Sequence, residues 1–257
     1  MQYNISIYKL LERGKKMAIY TCKERIDLED VGYSNKITNK AILKILENAG
    51  ARQSETVHFG LNDMENVGFS WILLGWKVQV LKRPIYNEEL TVKTWGRDAN
   101  KIFTYRDYEI YDENNELCTI ATSKWAIVDI KTGKLRELTS DIIGKYQCET
   151  KKVFEQDYTL KLKEPETVIN KQIHKAQRRD IDINKHIHNL CYLDYAYEAL
   201  PDEIYEQKEC NNIEIMYKKQ IKLGDEFECM YAMENNENVI TLKSADENIL
   251  HAIVKLY

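Results

Sequence analysis

The chain has 257 residues, 44% of them hydrophobic and 30% charged, with ten glycines, three prolines and a formal net charge of −4. That length holds one large domain or two of ordinary size, and the composition is that of an ordered globular protein rather than a disordered one. A weakly acidic chain has no global pull towards nucleic acid or a membrane surface, and no segment reaches the roughly 20 apolar residues that span a bilayer.

The start, MQYNISIYKLLERGKKM, carries its basic residues after its short apolar part, the reverse of a secretory signal. Met17 opens MAIYTCKERI, a sensible start for a first strand, so residues 1–16 are expected to be an upstream extension. Ile19 to Ile26 reads as that strand. The next stretch, TNKAILKILENAGARQS, places Ala41, Ile42, Ile45, Leu46 and Ala49 on one helical stripe, with Thr38 or Asn39 to cap it and Gly50 to end it. Strand-like runs follow at Phe69 to Leu81, Leu90 to Gly96, Ile102 to Tyr111 and Cys118 to Asp129. Turn signals such as Asp112-Glu-Asn-Asn and Thr132-Gly133 separate them.

Residues 136–167 are charged and weakly patterned and are placed as a linker. The second half repeats the plan: a strand over Val168 to Arg179, a helix, then strands at Ile213 to Ile221, Asp225 to Met233, Val239 to Ser244 and Ile249 to Leu256. The fold class is α+β. Offset by 151 residues, Glu47 falls on Glu198; offset by 137, Lys82 to Leu90 falls on Lys219 to Phe227. At the first offset Val31, Tyr33 and Asn35 stand where Asp182, Asn184 and His186 stand, so the first copy lacks the polar cluster and is left to shape a cavity.

That cluster lies in Arg178 to Pro201, RRDIDINKHIHNLCYLDYAYEALP. Leu190, Cys191, Leu193, Ala196, Tyr197, Ala199 and Leu200 cover more than one helical face, so the helix is buried on most sides. Asn189 is read as its N-cap and Pro201 as its stop. A carboxylate, a carboxamide and an imidazole therefore meet at the positive end of a buried helix, where a developing negative charge is favoured. Asp182-x-Asn184-x-His186, followed by Asn189, Tyr192 and Tyr195, resembles the D-x-N-x-H-V-N-N-x-x-Y signature of the acyl-ACP thioesterases. His188 stands at the first Asn of that N-N pair, a local departure.

The resemblance implies two tandem hotdog modules, each a long helix wrapped by a curved antiparallel sheet: 17–135 for the acyl chain and 168–257 for catalysis. It implies hydrolysis of fatty acyl-acyl carrier protein by activated water, with no metal or organic cofactor. In that chemistry Asp182 orients His186 or the water, His186 supplies an imidazole, the side-chain type suited to proton transfer in water, and Asn184 donates to the carbonyl oxygen or holds the water. The plain alternative is that these are turn and capping residues ahead of a helix. In the resembled family a Glu-Cys pair follows the motif His by 34 and 35 residues; here the spacing lands on Gln220 and Ile221. A carboxamide holds a water or donates a hydrogen bond but takes up no proton at working pH. Proton abstraction then falls on Asp182 or His186.

Trp71, Leu73 and Trp76, on one strand of the first half, and Tyr192 on the signature helix are read as acyl contacts, although alternation sends only some strand residues inward. Arg178, Arg179 and Lys185 border the motif and offer a basic face to the acidic carrier protein, or are ordinary solvated charges. Calcium is excluded because Lys185 and Cys191 occupy the EF-hand positions for Gly and Glu, and His174 with His186-x-His188 completes no zinc spacing. Six cysteines without a C-x-x-C pair read as reduced thiols of a cytoplasmic protein. An acyl-CoA thioesterase and a non-catalytic acyl-binding module stay open beside the main reading, as does a homodimer.

Overall fold

The apolar stripe from Ala41 to Ala49 is the buried face of the main helix, and the alternating runs around it form one sheet. A computed structural model describes residues 18–156, 159–207 and 209–257. The expected extension, residues 1–16, lies outside them, as does Met17.

Strand β1 (Tyr20–Arg25) leads through a 3-10 turn, Leu28–Asp30, into α1 (Asn39–Thr56) and the short α2 (Met64–Val67). Then come β2 (Phe69–Val80), β3 (Glu89–Gly96), β4 (Thr104–Tyr111), β5 (Leu117–Asp129) and β6 (Leu135–Arg136). The stretch expected to link the halves carries a helix, α3 (Ser140–Tyr146), which buries Ile142 and Tyr146 against Phe59 and Phe69. The second half runs β7 (Asn170–Lys175), a 3-10 turn at Arg178–Asp180, α4 (Cys191–Glu198), α5 (Asp202–Gln207), β8 (Asn212–Tyr217), β9 (Glu226–Glu234), β10 (Glu237–Ser244) and β11 (Leu250–Leu256).

The strands form a single antiparallel sheet in the order β1-β3-β4-β5-β2-β8-β11-β10-β9-β7, with β6 on β5. From either edge to the middle the two halves have the same order. The local bonds repeat too: Val31 bridges Ile37 as Ile181 bridges Ile187, and Lys36 bridges Ile85 as His186 bridges Lys222. The helix register is therefore 150 residues (181 minus 31), not 151, while the strand register stays at 137 (222 minus 85). Gly32, Ser34 and Lys36, rather than Val31, Tyr33 and Asn35, stand in the places of Asp182, Asn184 and His186. Glu47 matches Tyr197, not Glu198.

Helix α1 begins where expected, with Thr38 Oγ1 accepting the Ala41 N–H at 3.2 Å. It does not stop at Gly50. A Cβ there would sit 2.9 Å from Tyr108 Oη and 3.2 Å from Arg106 Cδ, so this glycine admits the sheet against the helix instead of ending it. Ile42, Leu43, Ile45 and Leu46 are all buried, each contributing about 1.5–3 kcal/mol relative to exposure. They share one core with Leu193 and Ala196 of α4 and with strands from both halves. Asn39 adds a polar tie across the halves, donating to Tyr197 Oη (2.6 Å) and to Cys210 O (2.8 Å). At the central β2–β8 pairing, Gly75 sits beside a bulge; a Cβ there would fall inside the carbonyl oxygen of Ile215. None of the described helices is long and apolar enough to cross a membrane.

Candidate active site

Asp180 fixes the loop ahead of α4. Its buried carboxylate accepts the Gln177 N–H at 2.8 Å and the Tyr195 hydroxyl at 2.7 Å, joining the loop to the helix. The chain then reverses between Asp182 and His186: Asp182 N donates to His186 O (2.9 Å) and Lys185 N to Asp182 O (3.0 Å), with Lys185 at φ 64°. The Asp182 side chain closes the turn. Its Oδ1 accepts Asn184 N (2.8 Å) and His186 N (3.4 Å), and its Oδ2 accepts Asn184 Nδ2 (3.3 Å). These are the Asx-turn bonds that Asp and Asn form readily. They leave one N–H of the Asn184 carboxamide free.

That turn borders a cavity of about 330 Å³ between the halves. Asp182, Asn184 and His188 of the second half and Glu47 of α1 line it, together with Phe59, Phe69, Trp71, Ile143 and Tyr146 of the first half and its connecting helix. Trp71 and Tyr146 meet edge to face at 5.8 Å, giving that wall a rigid aromatic lining.

The expected site residues divide. Asp182, Asn184 and Trp71 line the cavity, whereas His186, Gln220, Leu73, Trp76 and Tyr192 do not. His186 is held by its backbone to Asp182 and Lys222, and its ring Nδ1 is buried without a partner. Gln220 is exposed just beyond β8, which ends at Tyr217 and not at Ile221. Leu73 is core, Trp76 is fully buried against Tyr108 with ring centres 5.3 Å apart, and the Tyr192 hydroxyl accepts the Ile221 N–H at 3.3 Å. Arg178, Arg179 and Lys185 are exposed around the turn. Cys191 packs against the core, and burial pushes its thiol up to about 11, away from the thiolate form that attacks carbonyls.

Two cavity residues, Glu47 and His188, have no site role in the sequence reading. The N-cap of α4 is Leu190, not Asn189, and His188 holds the turn ahead of it: its Nδ1 accepts the Leu190 N–H at 3.3 Å, and its carbonyl accepts the Cys191 N–H. An Nδ1 that accepts leaves the proton of the neutral ring on Nε2, and Nε2 faces Glu47 Oε1 at 3.7 Å. The other oxygen of Glu47 is buried and has no partner. Burial pushes the Glu47 carboxyl above the ordinary carboxylate range, opposed by His188 and reinforced by Asp182. Its spacing from Leu43, Leu46 and Gly50 put Glu47 on the buried side of α1; only the packing of the second half's turn shows what it meets. Among the described residues, no three or more His, Cys, Asp and Glu are grouped to hold a metal ion.

The arrangement matches known proteins over most of the chain. The family models for the acyl-ACP thioesterase N-terminal and C-terminal domains match residues 17–146 and 162–252. An oleoyl-acyl carrier protein thioesterase of Coriandrum sativum is 22% identical over 85% of this chain, which spans 64% of that protein. A second such thioesterase, from Arabidopsis thaliana, is 23% identical over 91% of this chain, which spans 67% of it. The crystal structure of an acyl-ACP thioesterase from Bacteroides thetaiotaomicron superposes with a TM-score of 0.82 at 22% identity, covering 93% of this chain and 97% of that one. A 12:0-ACP thioesterase from Umbellularia californica gives 0.81 at 18% identity, covering 95% and 98%. With its large antiparallel sheet and few helices in a hotdog-like α+β fold, the chain belongs to the acyl-ACP thioesterase family.

Proposed function

We propose that this protein hydrolyses the thioester between a fatty acyl chain and acyl carrier protein, releasing free fatty acid and the carrier's thiol. The observation that carries this reading is a polar turn, Asp182 and Asn184, on a cavity that is also lined by Phe59, Phe69, Trp71, Ile143 and Tyr146. An acyl chain lying along Phe69, Trp71 and Tyr146 gains about 0.8 kcal/mol for each methylene buried. Its carbonyl then faces the turn. The free N–H of Asn184 donates to the carbonyl oxygen as it gains charge, while Asp182, with both oxygens already accepting N–H groups, orients the amide. Relatives named as oleoyl- and 12:0-ACP thioesterases support the same chemistry.

The repeated strand order supports two tandem hotdog modules, 17–135 and 168–257, joined through 136–167, with α3 of the joining stretch completing the acyl wall. Exposed Arg178, Arg179 and Lys185 are the face on which an acidic carrier docks. Six cysteines, none in a disulfide, suit a reducing compartment, which we take to be the cytoplasm. Incubation with acyl-ACP and with the matched acyl-CoA, following free thiol, tests the reading. Faster release from the carrier supports it. Release from CoA alone makes the protein an acyl-CoA thioesterase, and tight binding of acyl-ACP without release makes it an acyl-binding module.

A further inference from the structure

Gln220 occupies the position at which the resembled family carries Glu, and it lies outside the cavity. His188 occupies the position of an Asn, and it lies inside, facing a carboxylate from the other half. A base is thus lost from one place and a carboxylate–imidazole pair is present at another. We propose that Glu47, on the first half's long helix, is the general base for the attacking water, and that His188 is the residue that positions it. The proposal rests on the thioester-hydrolase reading and makes the reaction a joint product of both halves.

The geometry separates Glu47 from the other candidates. Asp182 has its oxygens occupied by three N–H contacts of its own turn. His188 spends Nδ1 on the Leu190 N–H, so accepting a proton there would break the approach to α4. His186 does not reach the cavity. Glu47 has one oxygen 3.7 Å from His188 Nε2 and the other buried with no partner, on the same cavity as Asn184. A buried carboxylate oxygen left without a hydrogen bond lacks what its burial normally requires, and a water held there supplies it.

The groups around Glu47 are His188 and Asp182 from the second half's turn, Tyr108 with Arg106 from β4, and Tyr217 from β8. Both tyrosines are raised by burial, with Glu47 adding to the shift, Tyr108 to about 12, so neither titrates near neutrality. In the step itself the water oxygen bonds to the acyl carbon while one water proton passes to Glu47. The tetrahedral intermediate collapses, the carbon–sulfur bond breaks, and Glu47 returns that proton to the leaving sulfur. Free acid and thiol are the products, and the carboxylate is regenerated.

The test compares the wild type with Glu47→Gln, Glu47→Asp and His188→Asn in acyl-ACP hydrolysis from pH 4 to 9, with thermal melts of each. Glu47→Gln should lower kcat by about 10²–10⁴ with KM little changed, and should abolish the acid limb of kcat/KM. Glu47→Asp should restore part of the rate together with the limb. His188→Asn should keep the limb but displace it. If Glu47→Gln melts normally and keeps kcat within about threefold with the same limb, Glu47 is not the base. A Glu47→Gln that fails to fold leaves Glu47→Asp to decide: a folded Asp variant with an undisplaced limb and full rate also overturns the proposal. No thiol release by the wild type defeats the hydrolase reading itself, and the base with it.

Discussion

Replacing Asp182 by Asn separates the geometry of the turn from its chemistry. In the native turn one carboxylate oxygen accepts two backbone N–H groups, from Asn184 at 2.8 Å and His186 at 3.4 Å, while the other accepts Asn184 Nδ2 at 3.3 Å. An asparagine keeps the first oxygen and both of its bonds but sets one NH2 group against another across the turn. The Asn184 amide then swings away. One hydrogen bond lost at a partly exposed site costs about 0.5–1.5 kcal/mol, or about 1–6 °C in Tm for a chain of this size. Losing a preorganised donor at the oxyanion costs about 2.7–4 kcal/mol, so kcat should fall by about 10²–10³. KM should hold, because the aromatic wall is untouched. The exchange Asp182→Asn with Asn184→Asp rebuilds a bond across the turn in the opposite sense but puts a carboxylate beside the oxyanion; it should recover Tm and not kcat. Thiol release and thermal melts on the three proteins check this. A single mutant within about threefold of wild type, or a double mutant that regains its rate, refutes the reasoning.

Gln220→Ala should leave kcat within about twofold, as for an exposed side chain outside the cavity; a loss of tenfold or more would return Gln220 to the site. Ile143→Trp, which fills the wall contributed by α3, should cost the longest acyl substrates about fourfold in kcat/KM per methylene displaced and spare the shortest; uniform loss would show that the chain does not pass there. Arg178, Arg179 and Lys185 changed together to Glu should raise KM for acyl-ACP and leave a small thioester analogue alone, whereas equal loss on both substrates removes the docking role. Gly75→Ala should lower Tm by about 5–10 °C, since the new methyl group meets a backbone oxygen that cannot move without breaking the β2–β8 pairing. For Glu47 the folded carboxyl lies above its unfolded value, so its contribution to stability is full below the unfolded pKa and is lost as pH rises through the folded one. The Tm difference of Glu47→Gln over wild type should therefore grow from pH 4 to 8; a difference that shrinks would contradict the burial argument.

The strands and the start of α1 were legible because alternation, turn residues and a Thr cap are local signals. The helix end was not: Gly50 reads as a stop until the approach of Tyr108 and Arg106 is known. The repeat was visible as like residues, but its register follows from hydrogen bonds, and Asn35 and Lys185, both at positive φ, show which turn residues correspond. The Asp182–Asn184 turn was read from residue types that make their own contacts. Glu47 and His188 are 141 residues apart (188 minus 47), and no local pattern predicts that one helix's inward carboxylate meets an imidazole on the other half's turn. The same limit applied to β2, where Trp71, Leu73 and Trp76 read as acyl contacts on one strand, but Leu73 and Trp76 pack into the core and only Trp71 lines the cavity.

The central claim is that the acyl chain lies between the halves with its carbonyl at the Asp182–Asn184 turn. A crystal structure with a fatty acyl-pantetheine analogue, carrying an amide in place of the thioester, measures this directly. The carbonyl oxygen should lie within hydrogen-bond distance of Asn184 Nδ2, with the chain running along Trp71 and Tyr146. A chain seated beside Leu73 or Trp76, or an amide turned out to solvent away from Asn184, would contradict the account.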